Sequence, residues 1–220
     1  MKSIRPLIVI PTLRGSGPPN SIKTLRKFML KAGIGPVYVL INDPEITGDG
    51  IIYHPSRSWI NAFMDRAGET IERKFPNSKL ATKVKYYLKA ISSPLKTFAQ
   101  LKGVEYFKNS HTFRLLKHLR GKFNVIIVDS SSGPGWFDYS VLPGVDVPVV
   151  FYLRGQWFFT GHCSNRPPEC HRYTQLCYKC PYLNITYSIK KDNSYMNVLR
   201  KKGIYSSMSR GYHLISPSRK

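Results

Sequence analysis

Two stretches of this chain carry unbroken apolar runs that leave little freedom in how they fold: residues 123–129, with Val125-Ile126-Ile127-Val128 at their centre, and residues 147–153, with Val149-Val150-Phe151-Tyr152-Leu153. A strand open to water on one side alternates apolar and polar residues, so continuous runs read as strands covered on both faces. The chain begins the same way. Residues 7–12 read as a buried strand, residues 13–21 as a turn rich in Gly, Pro and Ser, and the next stretch as an amphipathic helix with Ile22, Leu25, Phe28, Met29 and Ala32 on one face. Gly33 and Gly35 close that helix, and residues 37–42 supply another strand. A βαβ unit of this kind implies a parallel pair, and connection rules then favour a doubly wound sheet. The expected fold class is α/β: a Rossmann-like, mostly parallel sheet flanked by helices, forming a single domain over residues 1–220.

The remaining chain fits this frame. Residues 195–202 read as a helix and residues 212–216 as a last short strand. A helical insertion at about 56–121 is expected to break near residues 75–78 and again near 92–94, where Pro and Ser interrupt the pattern. Leu80, Val84, Tyr87, Leu88 and Ile91 recur there at helical spacing and are read as a stripe facing the core.

Charge narrows the partners. Thirty-four Lys and Arg stand against twelve Asp and Glu, a formal net charge of +22, and residues 56–122 alone hold fifteen basic and four acidic residues. Such a field favours phosphate-rich partners: nucleic acid, anionic lipid headgroups or phosphorylated small molecules. The opening apolar run is too short for a secretory signal, and no segment approaches the roughly 18 apolar residues of a membrane span. The chain therefore reads as cytoplasmic, with peripheral contact at the inner membrane face permitted by its charge.

In open parallel sheets ligands sit outside the carboxyl ends of the strands. That rule selects the loops at Gly15-Ser16-Gly17 and at residues 130–135, with Ser131 and Gly133, together with the segment after Leu153. A helix start just beyond Gly17 is expected to offer amides to an anion, although no dinucleotide fingerprint or Walker lysine is present. Asp129 and Asp138 are the carboxylates near this crevice and the candidates for orienting an acceptor hydroxyl, with turn capping as the plainer role for Asp129. His54, His111 and His118 lie away from these loops and are read as surface or helix histidines.

Every cysteine of the chain lies in one loop, residues 161–181, in the pattern C-x6-C-x6-C-x2-C: Cys163, Cys170, Cys177 and Cys180. The short Cys177–Cys180 spacing lets one knuckle present two thiolates to a tetrahedral metal, and four such ligands leave no open position, so the expected cofactor is a structural zinc. Iron would accept the same ligands, His162 and His171 adjoin two of the cysteines, and paired disulfides or unliganded thiols stay open as alternatives.

The run from Val149 through Arg154-Gly155-Gln156-Trp157-Phe158-Phe159-Thr160-Gly161-His162-Cys163, with Cys170-His171-Arg172-Tyr173 and Cys177-Tyr178-Lys179-Cys180-Pro181 after it, resembles the cysteine-bearing segment of family 4 glycosyltransferases. Those enzymes build polysaccharides. In them an apolar strand enters a His-Asp dipeptide, then an FTG-C stretch, a C-x-RY stretch and a C-x-x-CP knuckle. The likeness is specific over about residues 123–183 and looser elsewhere: the opening resembles the acceptor-side Rossmann domain of a GT-B enzyme, and Ile215-Ser216-Pro217-Ser218 resembles the strand that leads into the second domain. The resemblance implies transfer of a sugar from a nucleotide-sugar donor to a saccharide or lipid-linked acceptor. It implies substrate contacts for Gly15, Ser16, Gly17, Ser131, Gly133, Arg154 and Trp157. Arg154-Gly155 stands where the family has His-Asp, which replaces a residue near the reacting sugar with a phosphate clamp. The donor-binding domain is expected to be absent from the chain, and activity to need a second domain or a partner chain that supplies it. Two other readings compete: a basic nucleic-acid-binding module with a zinc knuckle, and a catalytically silent, truncated domain.

Overall fold

A computed structural model describes residues 3–55, 59–105, 109–129, 135–185 and 189–216. Six strands form one sheet: β1 (Pro6–Val9), β2 (Tyr38–Ile41), β3 (Ile51–Tyr53), β4 (Val125–Asp129), β5 (Val149–Tyr152) and β6 (Tyr212–Ile215), in the order β3-β2-β1-β4-β5-β6. All neighbouring pairs are parallel. The sheet is thus Rossmann-like, and its parallelism is complete where the sequence promised only a majority. The added strand is β3. At three residues it is too short to show a period of its own.

Apolar runs give the sheet two cores because successive side chains point to opposite faces. Leu7 and Val9 join Leu40, Ile126, Val128, Val149 and Phe151 on one side. Ile8 and Ile10 join Val39, Ile41 and Ile127 on the other. Helix α1 (Pro18–Lys31) covers the second face with Ile22, Leu25 and Met29, while Phe28, at the edge of the expected apolar face, is exposed. The helix stops at Gly33, whose φ of 73° admits the closing turn: Gly33 N–H donates to Leu30 O and Ile34 N–H to Met29 O.

The first face is covered by α5 (Ser110–His118), the short 3-10 segment Tyr139–Gly144 and α6 (Ser194–Ser206), with Trp136, Phe137, Tyr139, Trp157 and Phe158 filling the space between. Each fully buried large apolar side chain contributes roughly 2 kcal/mol.

The insertion consists of α2 (Trp59–Lys74), α3 (Lys79–Ser92), α4 (Pro94–Leu101) and α5. Its breaks fall where proline and the capping serines place them: Ser78 Oγ accepts from Ala81 N–H at the start of α3, and Pro94 opens α4. The expected core-facing stripe is corrected by the structure. Leu80, Tyr87 and Ile91 are exposed, and among the described residues none from α2, α3 or α4 belongs to either core. No helix among the described residues is long and apolar enough to cross a membrane.

Candidate functional site

The chain passes from β1 to β2 on one side of β1 and returns to β4 on the other, so the strand order reverses between β1 and β4. A crevice opens at such a switch point, at the carboxyl ends of the strands. Two of the segments singled out by the sequence, and one of its candidate carboxylates, lie at these strand ends. Gly15, Ser16 and Gly17 follow β1 and are exposed, Asp129 ends β4, and Arg154 follows β5. One arginine joins them: the Arg154 guanidinium pairs with the Asp129 carboxylate and donates to Pro18 O at 3.1 Å, at the first turn of α1. Its Cζ also lies over the Tyr152 ring, 4.8 Å from the centroid.

This arrangement changes the roles open to each group. Asp129 is fully buried and pairs with a cation within the chain, an arrangement that positions Arg154. Asp138 is a cap: its carboxylate accepts from Ser140 N–H (2.9 Å), Ser140 Oγ–H (2.5 Å) and Asn109 N–H (3.0 Å). Trp157 is buried in the core with its Nε1–H donating to Glu105 at 2.5 Å, so its ring is not open to a substrate. Ser131 and Gly133 lie outside the described residues.

The helix start after Gly17 also departs from expectation. Its first two residues are Pro18 and Pro19, which carry no N–H, and Ser21 N–H already donates to Gly17 O at 3.0 Å. That start therefore offers an anion fewer free amides than an ordinary helix N-terminus does. The open space lies beside the glycine turn. A cleft of about 490 Å³ is lined by Gly15, Arg14, Lys23, Arg26, Thr47 and Asp49. Two arginines shape it: Arg14 pairs with Asp43 (3.0 Å) and Glu45, and Arg26 donates to Asp49 O at 2.6 Å.

Beyond Arg154 the chain turns into the cysteine loop, which is tied to α6 by buried polar groups. Lys201 Nζ donates to Trp157 O (2.7 Å) and Thr160 O (2.9 Å) and pairs with Glu105 (2.7 Å). Burial raises the pKa of Glu105 and lowers that of Lys201, while their mutual attraction opposes both shifts. Asn197 and Arg200 of α6 bond the backbone of residues 103–105 as well, so one helix clamps both the segment that follows α4 and the loop's entry. The sequence held no signal for this clamp.

Within the loop none of the four cysteines is bridged. Cys163, Cys170 and Cys177 are buried, and Cys180 is half-buried. Gly161 N–H donates to Cys177 Sγ at 3.2 Å, and Cys180 Sγ lies 3.6 Å from His162 Nε2. Burial pushes the Cys177 thiol up to about 11 and that of Cys180 upward, and the negative charge that the other cysteines would carry on ionising adds to both shifts. Leu176, Cys177 and Lys179 adopt φ of 56°, 57° and 51°, a left-handed knuckle made without glycine that costs roughly 1–2 kcal/mol per residue. Among the described residues no three His, Cys, Asp or Glu side chains are drawn close enough to hold an ion. The donor set nonetheless suits a thiophilic metal in kind and number.

A scan against protein-family models finds no match, and searches of curated proteins and of solved structures find none either.

Proposed function

We propose that the chain is the acceptor-side domain of a glycosyltransferase, which binds a phosphorylated saccharide or lipid-linked acceptor at the switch-point crevice. The observation that carries this reading is the convergence of the glycine turn, Asp129 and Arg154 on that crevice, directly ahead of the cysteine loop. Arg154 is the anion-binding residue. A planar guanidinium can trade one carboxylate for a phosphate through the same forked donors, and Asp129 keeps it aimed when the site is empty. Gly15 and Gly17, with φ of 87° and 66° and open space where a Cβ would stand, let the acceptor approach the backbone.

The described residues form one Rossmann-like sheet, and a GT-B transfer runs in a cleft between two. The nucleotide-sugar donor is therefore held by a second domain or chain, and this chain's part is to bind and orient the acceptor. A structural zinc held by Cys163, Cys170, Cys177 and Cys180 would fix the loop. Its chemistry is ordering alone, since four thiolates leave no position for a reacting group.

The test pairs acceptor binding with transfer. Wild-type chain should bind a polyprenyl-phosphate-linked saccharide, and Asp129→Asn with Arg154→Met, which removes both charges together, should weaken binding about tenfold through loss of a charge-assisted contact. With a donor-binding partner, label should pass from a sugar nucleotide to that acceptor. Unchanged binding in the double variant, or no incorporation with any partner, overturns the reading.

A further inference from the structure

The insertion poses a problem of stability first. Helix α4, PLKTFAQL, buries none of its residues, and among the described residues of α3 only Ala81 is buried. Helices of 8 and 14 residues are marginal in water unless an apolar face is covered. Each helix nevertheless carries apolar residues at helical spacing. Leu80, Tyr87 and Ile91 stand at i, i+7 and i+11 on one face of α3, and Leu95, Phe98 and Leu101 stand at i, i+3 and i+6 on α4, the helix that follows Ser93. All six are between 52 and 70% exposed. A surface of this kind marks an interaction site.

Charge identifies the occupant. From Lys79 to Lys102 the chain holds six lysines and no Asp or Glu. Lys85 reaches across to Glu72 of α2 at 2.5 Å, and Lys102 lies over the Phe98 ring, 5.4 Å from its centroid. Long lysine stems beside an apolar stripe allow the ammonium groups to meet an anionic surface while the stripe sinks below it. Four of the six apolar side chains are aliphatic. They cannot stack on bases, so a single-stranded nucleic acid would leave most of the stripe uncovered. We propose that α3 and α4 form a docking face for an anionic lipid bilayer and lie in the plane of its headgroups. The proposal is separate from the transferase reading, because vesicle binding is measured without donor or acceptor.

The experiment is co-sedimentation of the full chain with vesicles of phosphatidylcholine alone or mixed with phosphatidylglycerol, at low and high salt. The expected result is binding to the mixed vesicles only, weakened by salt as surface potential is screened. Ile91→Asp with Phe98→Asp should bind about tenfold more weakly or worse, because two inserting side chains are replaced by charges that the headgroups repel. Circular dichroism should show the variant folded; if it is not, Leu95→Ser, which touches one exposed position, decides instead. Equal binding by wild type and variant overturns the proposal. So does absence of binding to the mixed vesicles, whether the chain then binds a single-stranded oligonucleotide or self-associates through the same face.

Discussion

His54 shows how far a residue's surroundings can reverse the reading of its type. It was placed by sequence among surface or helix histidines, yet it follows β3 into the core, fully buried, with its ring edge-on to Trp136 at 5.7 Å. Nε2 lies 2.8 Å from Thr112 Oγ1, which itself accepts from Asp138 N–H at 3.0 Å. The threonine proton is then free to be donated to a neutral imidazole. Burial pushes the His54 pKa down to about 4. In the unfolded chain the imidazole takes up its proton near 6.5. As pH falls the unfolded state therefore binds the proton first, and stability that is complete above about pH 6.5 declines toward pH 4. Urea unfolding should show a loss of about 2 kcal/mol between pH 7 and pH 5 from this group. His54→Phe, which keeps the ring and removes the titration, should flatten that slope; an equally steep profile in the variant would assign the loss to other groups. No local pattern around residue 54 announces burial, because the aromatic wall comes from residues some eighty positions later.

At the scale of elements, length and punctuation were legible while facing was not. Prolines and serines in the sequence located the breaks between α2, α3 and α4, since Pro and capping side chains act on their own backbone. The period of α3 is legible but its surroundings are not: of the five expected core positions Leu80, Tyr87 and Ile91 face water while Val84 and Leu88 are half-buried, because periodicity reports a face and not what lies against it. The contact between the cysteine loop and α6 is another property that only packing creates. Gly161 approaches α6 so closely that a Cβ would stand 2.3 Å from Ser194 Cβ and 2.8 Å from Ser194 O. Ser194 Oγ–H donates to Cys177 O at 2.5 Å in the same place. Gly161→Ala should therefore push the loop from the helix and cost about 2 kcal/mol by overpacking, read as a lowered urea midpoint. A midpoint unchanged from wild type would mean that the loop is loosely held there.

For the whole molecule, two kinds of order coexist. The sheet holds itself through two apolar cores, whereas residues 161–181 are polar, proline-rich and tied to α6 by hydrogen bonds such as Ser194 Oγ–H to Cys177 O at 2.5 Å. If zinc completes that loop as proposed, chelation should lower stability by at least about 3 kcal/mol and open all four thiols to titration, with the sheet's far-ultraviolet dichroism retained. Purified chain without metal, equally stable before and after chelation, would remove the metal from the account. The amino-acid sequence by itself determined the parallel character of the sheet, the glycine turn after β1, the breaks between α2, α3 and α4 and the clustering of cysteines, because each follows from side-chain period or backbone preference over a few neighbouring residues, whereas the separation of α4 from α5 was not legible in it. Only the tertiary structure decided that Arg154 closes on Asp129 and Pro18, that Trp157 and His54 are core residues, that Lys201 and Glu105 clamp the loop and that the stripe of α3 and α4 faces outward. Those outcomes join residues 25 to 136 positions apart or depend on which surface is left uncovered, and burial energy assigns them only once the whole chain has packed.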